Sequence, residues 1–105
     1  MKKAEKKTEI KADLNEIVIT GTVQKVITST EKVERFDLKC QRVSPNGKGF
    51  YSFVPVVSYE NHGVEEGDRL KVTGVLQSGS YQNKQGKTCY TLDIIADEVE
   101  LYEED

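Results

Sequence analysis

Tryptophan is absent from this chain of 105 residues, histidine occurs once, proline and cysteine twice each, and no apolar run extends beyond a few residues. Each shortage excludes something. A helix that crosses a bilayer needs about 20 consecutive apolar residues, and nothing of that kind is present. The lysine-rich start also lacks the apolar segment of a secretory leader. Cys40 and Cys89 lie far apart with no CxxC pair, and His62 is the sole histidine, so no metal site is expected. Two free thiols in an intracellular protein are the simpler assignment. His62, between Asn61 and Gly63, has no nucleophile or carboxylate at a catalytic spacing. Asn46-Gly47-Lys48-Gly49 lacks the spacing and the strand–helix setting of a phosphate-binding loop. Neither an enzyme nor a cofactor site is expected.

Positive charge is also short overall, with 15 bases against 18 acids. The deficit is local. The last nine residues, 97–105, hold six of the acids and no base, which leaves residues 1–96 with 15 bases against 12 acids. Residues 1–13 carry five lysines and almost no apolar side chains, which predicts a flexible arm. The expected division is an arm over 1–13, one domain over 14–102 and an acidic end over 103–105.

What the chain has in quantity is alternation. Ile17, Ile19, Gly21 and Val23 alternate with Val18, Thr20, Thr22 and Gln24, a β-strand pattern rich in branched residues. Val18 and Val26 are apolar on the second phase, which predicts burial on both faces, inside and against a partner. Gly21 predicts a bend or bulge. A second strand sets Phe36, Leu38 and Cys40 against Arg35, Asp37, Lys39 and Gln41. After the Ser44–Gly49 turn, a third runs Phe50 to Val57, with Pro55 implying an edge or a bulge. Ser58 to Glu66 has room for about two helical turns, and Gly63 would end any helix early. Residues 64–92 predict a β-hairpin: Leu70, Val72, Gly74 and Leu76 go out, a polar tip spans Ser78 to Lys87, and Tyr90, Leu92 and Ile94 return. Tyr90 is assigned with them to the core, and Val99, Leu101 and Tyr102 to a short final stretch. Five strands with one short link between the third and fourth predict an all-β, five-stranded OB-fold Greek-key barrel with a short or vestigial helix in that link. An SH3-like barrel is the main competitor.

With Val54 and Val56 inward, Tyr51 and Phe53 point outward, and rings on an open face call for something to cover them. Lys39 and Arg35 share the outward phase of the second strand, and the hairpin tip adds Tyr81, Lys84 and Lys87. Rings for bases and ammonium groups for phosphates are the pairing that single-stranded nucleic acid rewards. A subunit interface accounts equally well for Phe53.

Several segments resemble bacterial and phage single-stranded-DNA-binding proteins. Asn15 to Val23 is similar to their opening strand, Gly67 to Leu76 to their fourth, Tyr81 to Gly86 to the tip of their long hairpin, and Ile95 to Glu100 to their closing strand. The resemblance, over residues 15–102, implies an OB-fold that forms homodimers or homotetramers through its first strand. It implies base stacking at the positions of Tyr51 and Tyr81. It also implies a cytoplasmic role in replication, recombination or repair, with replication or repair proteins as further partners. The chain departs from the family in lacking tryptophan and in its reduced link over Ser58–Glu66. It also ends at Glu103-Glu104-Asp105 without the family's glycine-rich linker and apolar tip. Pro55-Val56-Val57-Ser58 and the short link are similar to the primosomal replication protein N branch.

Two functions follow as expectations. In the first, the domain binds single-stranded DNA without sequence preference, using Tyr51, Tyr81 and Phe53 with Lys39, Lys71, Lys84 and Lys87 near phosphates. In the second, the same barrel is a protein-interaction module of a primosome or mobile-element complex, and the outward rings bury against protein. RNA is a third partner that stacking platforms do not themselves exclude.

Overall fold

The computed structural model describes residues 12–103; the predicted lysine-rich arm up to residue 11, and Glu104 and Asp105 of the acidic end, lie outside the described residues. Five strands are present: β1 (Ile17–Ser29), β2 (Glu34–Val43), β3 (Gly49–Ser58), β4 (Arg69–Gln82) and β5 (Thr88–Leu101). They close into a barrel in the order β1-β2-β3-β5-β4. All neighbours are antiparallel except β3 and β5, which meet in parallel at Val56–Ile94 and Val57–Ile95. This is the Greek-key OB connectivity expected from the sequence.

Barrel closure depends on β1 serving two partners. Ile17 to Thr22 pair with β4, and Thr22 to Ser29 pair with β2. The strand therefore coils sharply near Thr22, and β2 crosses close beneath Gly21. A Cβ at Gly21 would stand 2.6 Å from the Lys39 carbonyl oxygen and 2.8 Å from Leu38 Cγ, so glycine is required by close approach. Of the bend or bulge anticipated at Gly21, the bend is there, and the bulges lie further on, in the irregular pairing between Val23 and Lys25 and between Val26 and Thr28. That slip corrects the phase of Val26: an extra residue turns its side chain inward, where it packs on the core. A similar slip at Thr73/Gly74 lets β5 curve, and there a Cβ on Gly74 would overlap the Ile95 carbonyl.

The core is Val23, Phe36, Leu38, Val56, Val64, Leu70, Val72 and Ile94, one or two residues from every strand plus Val64 from the link. No helix occurs among the described residues, so the short helix expected between β3 and β4 is corrected to an extended link. Hydrogen bonding explains the difference. Glu34 is fully buried on the inner phase of β2, and its carboxylate accepts from the backbone N–H groups of His62 (3.3 Å) and Val64 (3.0 Å). Asp68 accepts from the Glu65 N–H (2.9 Å), and Gly63 and Gly67 turn the chain at φ +67 and +91. These groups serve the backbone that a helix would have served, and they seat Val64 as a plug in the barrel end.

The parallel β3–β5 contact fixes the rest of the shape. Both strands run into that contact from their own hairpin turns, so the β2–β3 and β4–β5 turns leave the barrel at the same end. The hydrogen-bonded contact is two residues long, and the hairpins separate beyond it. Pro55 sits in register opposite Asp37, on the part of β3 whose other edge is bare, as its ring requires. β4 leaves β1 after Gly74, and β5 meets β3 only at Ile94 and Ile95, so Gln77 to Gln82 and their β5 partners form a two-stranded ribbon.

This ribbon overturns one core assignment. Ile94 is buried, but Leu92 is exposed and Tyr90 is 83 % exposed. The phase read from the sequence is right; the barrel ends before those residues are reached. The final stretch at Val99 and Leu101 is a continuation of β5 rather than a separate element.

Candidate nucleic-acid interface

In-register residues on neighbouring strands share a side of the sheet. Arg69 pairs with Thr22, Thr22 with Lys39, and Lys39 with Phe53, so one outward row crosses β4, β1, β2 and β3. One step toward the turn, Gln41 faces Tyr51. An open groove of about 320 Å³ runs along these rows, lined by Thr22, Gln24, Lys39, Gln41, Tyr51 and Arg69. The Lys39 ammonium lies 4.2 Å from the centre of the Tyr51 ring. Tyr51 and Phe53 are more than half exposed.

The structure brings Lys39, Tyr51 and Phe53 together. It sets Tyr81, Lys84 and Lys87 on the ribbon, a separate element at the same end of the barrel. Tyr81 is 57 % exposed, on the β4 phase of Arg69 and Lys71, opposite the free thiol of Cys89. The tip is shorter than the sequence predicts, because Ser78 to Gln82 belong to β4. The turn itself is tightly organised. Asn83 Oδ1 accepts from the N–H groups of Gln85 (2.9 Å) and Lys87 (3.0 Å), and Gly86 takes φ +77. Lys84 and Lys87 are therefore held out on a defined turn.

Lys71 lies next along β4 at the border with an acidic seam. It pairs with Thr20 on one side and Glu100 on the other, with its ammonium 3.9 Å from the Glu100 carboxylate. Arg35 is at the far end of β2, opposite Val57 and Thr28, and is not part of the groove.

Sequence reasoning missed Arg69 and Gln41, and a signal for both was available. Residues 38–59 contain Lys39, Arg42 and Lys48 with no acid, and residues 69–92 contain Arg69, Lys71, Lys84 and Lys87 with no acid. The first window gives the groove Lys39, Gln41 and Tyr51, and the second gives it Arg69 and holds the ribbon turn, so a chain of net charge −3 carries a locally basic face. The second cavity, about 350 Å³ at the link end, is lined by Glu65, Asp68 and Glu100 and has the wrong sign for a polyanion.

A model of the single-strand binding protein family matches residues 14–102. Among solved structures, a Plasmodium falciparum SSB in complex with ssDNA is similar at a TM-score of 0.73 and 18 % identity, covering 90 % of this chain and 100 % of that one. At that identity the likeness speaks for the fold. Comparison with the curated proteins gives no significant match.

Proposed function

The chain belongs to the single-strand binding protein family, and from that membership we propose that it holds single-stranded DNA without sequence preference by stacking bases on Tyr51, Phe53 and Tyr81. It is a binding protein, not an enzyme. Lys39, Lys84 and Lys87 neutralise phosphates, Arg69 adds to the groove, and Lys71 joins them by leaving Glu100. An exposed ion pair of that kind is worth about 0–1 kcal/mol, so the exchange is inexpensive. The observation that carries the reading is the Lys39 ammonium over the exposed Tyr51 ring, inside a groove whose walls come from acid-free stretches of sequence.

The same reading gives residues 14–102 as the working domain and a homodimer or homotetramer as the assembly. The outward Val18 side chain, 63 % exposed on β1, supports an interface along that strand. Replication, recombination or repair in the cytoplasm is the proposed setting.

Fluorescence anisotropy of labelled oligo-dT tests the function. Binding at low salt that weakens as salt rises is the expected result, and a parallel titration with RNA of the same length reads whether the sugar matters. Absence of binding at low salt would instead favour a protein partner for the outward rings.

A further inference from the structure

The groove does not use every exposed ring at this end of the barrel. Each hairpin carries an aromatic on both of its faces. On β2–β3, Tyr51 is outward, and Phe50, 45 % exposed, stands on the inner phase opposite Arg42, whose guanidinium lies 5.3 Å from the ring centre. On the ribbon, Tyr81 is on one phase, and Tyr90 is on the other with Leu92 and Leu76. The inner phases of β3 and β5 are those of Val56 and Ile94, which are buried side by side where the strands meet. Followed toward the turns, these two phases become the facing walls of the mouth between the hairpins. Large apolar side chains at such a mouth, left in water, are a surface awaiting a ligand.

Charge selects the ligand. The stretches 38–59 and 69–92, which hold both turns, contain seven cations and no carboxylate, and Asp93, opposite Gln77 at the base of the ribbon, is the one acid of the ribbon. That balance together with the exposed rings suits a polyanion with flat bases. A route is also present. Between Gly49 and Pro55, β3 is paired only with β2, so a bare strand edge separates the outward Tyr51 from the inward Phe50. Its free backbone groups can hydrogen-bond bases or phosphates as a strand passes over.

We propose that bound single-stranded DNA leaves the outer groove over the bare edge of β3 and enters the mouth between the two hairpins, where Phe50 and Tyr90 are a second pair of base platforms and Arg42 meets phosphate. The proposal rests on the outer groove being the primary seat. It extends the footprint of one subunit beyond that groove, within the range of about 4–16 nucleotides that a single OB barrel occupies.

The absence of tryptophan makes a direct test available, because one introduced indole is an unambiguous reporter. Tyr90→Trp and Tyr51→Trp are each titrated with oligo-dT of about 5 and about 16 nucleotides, lengths that bracket the two seats. The expected result is quenching of the Tyr51→Trp indole by both lengths and of the Tyr90→Trp indole by the longer one alone. The double variant Phe50→Ala/Tyr90→Ala is expected to lose about tenfold or more in affinity for the longer oligomer and to keep its affinity for the shorter. Quenching at Tyr51→Trp with none at Tyr90→Trp for either length overturns the second seat and leaves the first standing. No quenching in either variant overturns both. If the double variant instead changes the sedimentation coefficient while its affinity for both oligomers is unchanged, a second copy of the chain covers the mouth, and the proposal is wrong.

Discussion

Lys39 and Tyr51 show how single side chains set up the groove. A cation over an exposed ring contributes about 0.5–1 kcal/mol, whereas a stacked base contributes about 1–3 kcal/mol. On the proposed reading a base displaces the ammonium from the ring, and Lys39 stays beside it to meet a phosphate. Tyr51→Ala is expected to weaken oligo-dT binding by about 1–3 kcal/mol, as read by anisotropy. The melting temperature should hardly move, because the ring packs on little else. Glu34 is the opposite case, a buried carboxylate that binds nothing foreign and holds the link. Glu34→Ala strands two backbone N–H groups, each costing about 1–3 kcal/mol. A loss of about 2–4 kcal/mol in a urea titration is expected, with Glu34→Gln losing less; full stability in Glu34→Ala would contradict the role given to that carboxylate.

Among the elements, the ribbon differs from the barrel. Its strands pair only with each other beyond Leu76, whose backbone is held by the Asn15 side-chain amide (2.8 and 3.0 Å). A two-stranded ribbon with neither face covered is marginal by itself. Amide hydrogen exchange should find Ser78 to Gln82 and Thr88 to Thr91 far less protected than Leu70, Val72 and Ile94 in the free protein, and should find them slowed when oligo-dT is bound. Equal protection in the free protein would mean that something already covers the ribbon. The alternation of β4 and β5 was legible at this scale, since phase depends only on a residue's neighbours in the chain. The limit of burial was not, because Tyr90 and Leu92 look like Ile94 to any local reading, and only the departure of β1 and β3 leaves them in water.

For the whole molecule, charge placement matters more than its sum. The acids of β5, Glu98 and Glu100 among them, line one seam, and the stretches 38–59 and 69–92 around the two hairpin turns are free of carboxylates. If about four cations meet phosphates, the logarithm of the binding constant should fall with the logarithm of salt at a slope of about −3, by counter-ion release from a single strand. A slope near zero would remove phosphate contact from the mechanism. Assembly has its own test. Val18→Glu places a carboxylate on the outward face of β1, and sedimentation should show dissociation to single chains with the β-sheet circular dichroism unchanged.

The sequence by itself determined the strand count, the inward side of the strands except past the β1 bulges, the family, and the exposed setting of Tyr51, Phe53 and Tyr81, because alternation and residue type act over a few positions of chain. Which lysine meets which ring was a tertiary matter. Lys39 reaches Tyr51, Arg69 reaches the groove and Lys71 turns to Glu100 only through the register of four different strands, and register is set by closure of the barrel. The same closure replaced an expected helix with a link tied to Glu34 and moved the bulge past Gly21. It also ended the core at Ile94, which left Tyr90 outside and opened the mouth between the hairpins.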